Sequence, residues 1–163
     1  MASKTKRIPS GYHTITPHIV VRGGADAIDF YKRAFGAEEL NRHPGPDGKT
    51  IMHAALQIGD SRLFLCDEAP QHGARSPISI GGSPVYIHLY VEDVDAAYQR
   101  AVKAGAEGTM PPQDQFWGDR FSMVKDPYGH HWSIASHMED VTPAEMQKRA
   151  AAAFKGGGCG EKK

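Results

Sequence analysis

Apolar and polar positions recur along this chain with two periods, and the order in which the periods switch is itself repeated. Ile15 to Val21 is β-branched and mostly apolar, which predicts a strand. Gly23-Gly24 breaks it. Ala27, Ile28, Tyr31, Ala34 and Phe35 then fall at helical spacing, with Asp26, Asp29, Lys32 and Arg33 between them. Gly36 is placed to end that helix in the left-handed conformation. A short strand is expected over 38–42. Pro44-Gly45-Pro46-Asp47-Gly48 reads as a turn, because proline fixes φ and Asp-Gly supports positive φ. Residues 50–58 and 62–66 alternate as strands across Gly59-Asp60, a tight hairpin signal. The unit is strand, helix, then three strands.

Pro70, Gly73, Pro77, Gly81, Gly82, Ser83 and Pro84 mark 70–84 as a linker. The pattern then begins again. Residues 85–91 predict a strand, and Asp93 is the N-cap of a helix carrying Val94, Ala97, Tyr98, Ala101 and Val102 and stopping at Gly105. A short strand is expected over 108–110, with Pro111-Pro112 opening a loop through Phe116-Trp117-Gly118-Asp119-Arg120. Strands over 121–125 and 131–135 flank the turn Asp126-Pro127-Tyr128-Gly129. Thr142-Pro143-Ala144-Glu145 is a capping box, with Thr142 as cap and Glu145 reaching back, and it announces a last helix to about residue 154. His18 and His88, Val21 and Val91, and Gly59 and Gly129 all stand 70 residues apart. A spacing kept over strand and helix signals alike implies a duplicated supersecondary unit. Units over 14–69 and 85–136 are each too short to be comfortable alone, so one shared core is expected in a chain of 163 residues. Residues 1–12 read as a loose arm and 155–163 as a flexible tail.

The formal net charge is zero with signs interspersed, which gives no electrostatic reason to expect nucleic acid or a membrane surface as partner. No apolar run approaches the roughly 18–20 residues of a membrane span, and Met1 to Arg7 lacks the apolar stretch of a secretory signal. Cys66 in a strand and Cys159 in the tail make no disulfide framework, so a cytoplasmic setting is expected. There is no phosphate loop and no dinucleotide fingerprint.

Two strand–helix–three-strand units in tandem resemble the vicinal oxygen chelate superfamily, which holds glyoxalase I, extradiol dioxygenases and the bleomycin-resistance proteins. Ala27-Ile28-Asp29-Phe30-Tyr31 before Phe35-Gly36-Ala37 is similar to its first helix, and Tyr90-Val91-Glu92-Asp93-Val94-Asp95 to the start of its second unit. Phe116-Trp117-Gly118-Asp119-Arg120 and Asp126-Pro127-Tyr128-Gly129-His130-His131-Trp132 resemble the PhnB-like, glyoxalase-related branch. The resemblance implies an α+β fold of tandem βαβββ units whose curved sheet forms a cup. It also implies a small-molecule ligand inside that cup and a homodimer. In the metalloenzymes of the superfamily a metal at the cup floor polarises two neighbouring substrate oxygens.

Counting from the family's pattern places its ligand positions at Thr16, Tyr86, Ser133 and either Leu63 or Phe64. None is a strong ligand for a divalent ion, so no cofactor is expected at the usual place. His18 and His88 lie two residues beyond the expected positions. Strand alternation puts them on the same face as Thr16 and Tyr86, and the pseudo-twofold would bring the two imidazoles together. With His53 as a third ligand they are the candidates for a displaced divalent metal; as a plainer reading, they are polar cup-lining groups. Trp117 and Arg120 either stack on and clamp a planar or anionic ligand or tie down their own loop. Trp132 is expected in the core, His130 on turn backbone, and Asp67-Glu68 at a solvated strand edge. Ser122 and Ser133 show no spacing that assembles a base and acid around them. The reading favoured is a metal-free small-molecule-binding protein lined by His18, His53, Phe64, Tyr86, His88, Trp117, Arg120 and Ser133. The alternative is a glyoxalase-related metal-dependent lyase, isomerase or dioxygenase.

Overall fold

A computed structural model describes residues 5–155; the expected flexible tail beyond it, with Cys159, lies outside the described residues. Strand β1 (His18–Val21), helix α1 (Gly24–Phe35) and strands β2 (Glu38–Pro44), β3 (Ile51–Ile58) and β4 (Ser61–Asp67) form the first unit. A 3₁₀ turn (Pro70–His72) and the short helix α2 (Pro77–Ile80) follow. Strand β5 (Tyr86–Tyr90), helix α3 (Val94–Ala104) and strands β6 (Glu107–Asp114), β7 (Asp119–Lys125) and β8 (His131–His137) form the second, and α4 (Pro143–Lys155) ends the described chain. Sheet 1 has the order β1-β4-β3-β2 and sheet 2 the order β5-β8-β7-β6, the first pair of each being parallel.

Local chemistry sets the ends. Asp67 Oδ1 accepts the backbone N–H groups of Gly23 (2.8 Å) and Gly24 (2.7 Å), supplying acceptors to a helix start that has no side-chain cap. Asp93 accepts from Ala96 N at 2.9 Å, as an N-cap should. Thr142 caps α4, but Glu145 turns to Arg149 (3.1 Å) instead of reaching back. Strand β6 runs on through Pro111-Pro112, where a loop was expected. It is an edge strand, so a missing N–H costs no ladder bond on its open side, and the register shifts between Met110 and Gln113. Glu68 and Asp67 are not a free edge: Glu68 accepts from Ser76 and Arg22, and Asp67 also takes Ile51 N.

Alternate residues of each sheet are buried against the helices. Ile19, Val21, Leu63, Leu65, Ala54 and Leu56 from sheet 1, and Trp132, Ile134 and Val124 from sheet 2, join α1 and α3 in one core. Tyr31 and Phe35 of α1 reach across to Trp132 on β8, with ring centres 5.5 and 4.4 Å away. The helix-bearing faces of both sheets therefore turn inward to a common interior, and the opposite faces turn out to solvent.

The pseudo-twofold between the units is filled on one flank only. Buried Asp126 accepts from Tyr31 Oη (2.7 Å) and Trp132 Nε1 (2.9 Å) through Oδ2, and from the N–H groups of Tyr128 and His130 through Oδ1. His130 Nε2 donates to Val20 O at 3.0 Å, joining the second unit's hairpin to β1 rather than satisfying its own turn. On the other flank the strand registers put Leu63 in the place of Trp132 and Ile58 in that of Asp126, and Ala101 stands for Tyr31. These smaller groups leave a groove of about 1090 Å³ between the β3–β4 hairpin and β5.

Candidate functional site

The outward face of sheet 1 carries three imidazoles around an aromatic ring. The β1–β4 pairing sets His18 beside Phe64, and the rings meet edge-on at 5.9 Å. His53 on β3 lies 4.7 Å from Phe64 and 5.8 Å from His18, and His43 on β2 lies 6.2 Å from His53. Burial, and then the neighbouring His18 and His43, push the His53 pKa below its ordinary value, because a charged ring there is poorly solvated and repelled. The arm is not loose at this point. Tyr12 packs on Phe64 at 5.6 Å beneath the guanidinium of Arg62. Cys66 shares the face, and burial raises its thiol pKa, which makes it a poor nucleophile.

The outward face of sheet 2 is built around His88. Its Nδ1 lies 2.7 Å from the Oγ of buried Ser133 on the adjacent strand; the ring stacks along Phe121 and meets Tyr90 at 4.6 Å. Three contacts hold the one imidazole, and among the described residues Nε2 makes no hydrogen bond. Burial lowers its pKa, partly offset by the charge of Asp119. Asp119 is buried and saturated: it accepts from Trp117 Nε1 (3.0 Å), Tyr90 Oη (3.2 Å) and His137 Nδ1 (2.8 Å). The second nitrogen of His137 faces Asp140 at 3.0 Å, so two carboxylates, Asp119 first, hold its pKa above the ordinary value. Tyr86 opens β5 against His131 at 5.0 Å.

The sequence-derived candidates thus fall into two groups that one chain does not join. His18, His53 and Phe64 share the sheet 1 face; Tyr86, His88, Trp117 and Ser133 share that of sheet 2. His18 and His88 are not brought together, because the helix faces, not the outward faces, meet across the pseudo-twofold. Arg120 is not a clamp. It faces α3, paired with Asp95 (2.6 and 2.8 Å) and Asp114 (2.9 Å), which together raise its pKa. Trp117 serves its own loop through Asp119 while sharing an edge contact with Phe121 at 5.7 Å. Trp132 is fully buried, as its alternation with Ser133 predicts. The sequence reading missed Tyr12, Arg62, His43, Tyr90 and Phe121. Strand parity would have found Arg62, Tyr90 and Phe121, whereas His43 lies one residue past the expected strand over 38–42 and Tyr12 lies in the arm.

The register also settles which residue is the counterpart of Ser133. His18 pairs with Phe64 as His88 pairs with Ser133, so Phe64 holds the place that the counting left between Leu63 and Phe64. The family's usual ligand positions then hold Thr16, Phe64, Tyr86 and Ser133. A hydroxyl pair, a phenol and a benzyl group do not fit a divalent cation, which takes imidazole, carboxylate or thiolate. Among the described residues, no three His, Cys, Asp or Glu side chains converge as a cation site. No helix of the described residues is long and apolar enough to cross a membrane.

Comparison with known proteins gives a family. Residues 12–134 match the family model described as Glyoxalase/Bleomycin resistance protein/Dioxygenase superfamily. An uncharacterized protein of Mycobacterium tuberculosis is 52% identical over 136 residues, covering 82% of this chain and 79% of its own. An uncharacterized protein of Arabidopsis thaliana is 28% identical over 123 residues, covering 72% of this chain and 74% of its own. The crystal structure of TioX from Micromonospora superposes with a TM-score of 0.61 at 29% identity, covering 76% of this chain and 98% of TioX.

Proposed function

We propose, from the premise that this chain belongs to the Glyoxalase/Bleomycin resistance protein/Dioxygenase superfamily, that it is a homodimeric small-molecule-binding protein. Its cup is made of sheet 1 from one copy facing sheet 2 of a second. One observation carries this reading: the two outward faces bear the aromatic and imidazole side chains, and of the sheet 1 face described above only Arg62 lines the groove that His88 and Tyr90 line within a chain, while His18, His53 and Phe64 do not. Tyr86 and Tyr90 are 51% and 66% exposed on β5, far more than large aromatic groups in a finished pocket. A twofold pairing of copies encloses two such cups at once.

The donor chemistry at the usual ligand positions supports binding without a resident metal. The fixed His88–Ser133 pair favours a second reading, a metal-free general base. With Nδ1 engaged by Ser133, Nε2 is the atom free to take a proton, and a lowered pKa keeps it unprotonated near neutrality.

Elemental analysis of untagged protein, before and after chelation, tests the metal-free reading: one equivalent of a transition metal, lost in His18→Ala and His88→Ala, refutes it. Mixing tests the cup. His53→Ala and His88→Ala homodimers each spoil both cups, whereas a mixed dimer regains one intact cup. A ligand identified by thermal-shift screening should therefore bind the mixture and neither parent variant. Binding to a monomer would sink the two-copy cup.

A further inference from the structure

The arm closes over sheet 1 in a contact that leaves one charged group incompletely satisfied. Arg62 Nε donates to Gly11 O at 3.1 Å, and the guanidinium carbon sits 5.4 Å from the centre of the Tyr12 ring. Arg62 Nη1 is buried, and among the described residues it has no hydrogen-bond partner. A buried N–H of a charged group without an acceptor is costly.

The surroundings supply no anion to repair it. The imidazoles of the same face offer no anion either: His18 pairs with Phe64, and His53 and His43 lie farther along β3 and β2 than Gln57, the partner of Arg62. The strand register puts one carboxylate on this side, Glu38, opposite Gln57 on the outermost strand and two strands from Arg62. Asp60, in the adjoining turn, accepts from Ser61 Oγ. The arm also fits narrowly. Gly11 has φ +82°, and a Cβ there would stand 2.7 Å from Arg62 Nη2.

We propose that the cup ligand is an anion with a flat apolar body, that its acid group pairs with Arg62, and that Tyr12 is its built-in competitor. The inference rests on the cup reading above. The Tyr12 ring, seated on Phe64 beneath the guanidinium, shows the shape of body this surface accepts. What tyrosine lacks is a carboxylate, the partner that a planar guanidinium fork binds best. A ligand that displaces Tyr12 keeps the ring contact and adds the missing acceptor.

Titration calorimetry with 2-naphthoate and its neutral isostere 2-naphthamide tests this. Wild type should bind the carboxylate about tenfold more tightly, roughly the worth of one charge-assisted hydrogen bond. Arg62→Gln should erase that preference, Arg62→Lys should keep part of it, and Tyr12→Ala should tighten naphthoate several-fold. Urea midpoints close to wild type establish that the variants fold. Equal affinity for both probes in wild type, a preference that survives Arg62→Gln, or weaker naphthoate binding in Tyr12→Ala overturns the proposal. So does absence of binding at millimolar probe to both wild type and Tyr12→Ala.

His88→Ala separates this inference from the cup reading. If both probes lose affinity in that variant yet neither feels Arg62, the cup stands and the anion assignment fails. If an Arg62-dependent preference persists in His88→Ala and in a monomer, the anion site stands and the two-copy cup fails.

Discussion

Replacing Asp126 by alanine should cost far more than a typical point substitution. One carboxylate satisfies four donors, two of them on side chains with no exposure at all: Tyr31 Oη from the first unit and Trp132 Nε1 from the second. Each donor orphaned in the interior costs about 1–3 kcal/mol; the His130 amide is buried as well, and the Tyr128 amide is half-buried. The sum for Asp126→Ala is about 3–5 kcal/mol, a large share of the roughly 5–15 kcal/mol that holds a domain together. Tyr31→Phe removes one donor and leaves Asp126 three, so it should cost about 1–2 kcal/mol. In the Asp126→Ala background the same change removes an orphan, so it should be neutral or stabilising. Urea unfolding at fixed protein concentration, followed by circular dichroism and tryptophan fluorescence, measures the cycle. An Asp126→Ala cost below about 1 kcal/mol, or a Tyr31→Phe cost that is the same in both backgrounds, would refute the reasoning. The same contact has a pH signature. Burial first, and then Asp126, hold the Tyr31 pKa well above its ordinary 10.0. The stability it contributes is therefore complete below pH 10 and is lost as pH rises toward the folded value.

Imidazole proton shifts followed by NMR should order the histidines, with His137 titrating above 6.5 and His53 and His88 below it. Stability from His137 is then complete below pH 6.5 and lost as pH rises through its folded value, while that from His53 and His88 is complete above 6.5 and lost on acidification. Gly118→Ala should destabilise by about 2 kcal/mol or more, read as a lower melting temperature, because φ is +99° and the new Cβ would run into the Glu139 carbonyl oxygen. Arg120→Ala should leave the binding of every cup ligand unchanged, since its partners Asp95 and Asp114 lie on the helix side; a loss of affinity measured by calorimetry would return Arg120 to the site.

The fold was legible because period and punctuation agree: Ala27, Tyr31 and Phe35 keep helical spacing between glycines, and Asp93 caps where a cap was read. Misreadings came where tertiary context outweighs local rules. Pro111-Pro112 reads as a break, yet an edge strand tolerates it. Glu145 reads as half of a capping box, yet Arg149 is the stronger partner. In the site, strand parity placed His18, His88 and Ser133 on the correct faces. It could not say that those faces diverge, since that depends on Tyr31 and Phe35 of the first unit packing on Trp132 of the second, rather than on their own sheet alone. Tyr12 was invisible for another reason: its arm has loop composition, and its place is set by Phe64 and Arg62.

The unequal flanks of the pseudo-twofold bear on what duplication made possible. Two separate copies of a single βαβββ module, associating about a true dyad, would have had identical flanks, and any residue that froze one would have frozen the other. Joined in one chain, the halves are free to drift apart. One flank holds Tyr31, Asp126 and Trp132 as a hydrogen-bonded spine, while the other has Ala101, Ile58 and Leu63 and is open. The two modules are thereby bound like the covers of a book, joined along the spine and parted at the opposite edge.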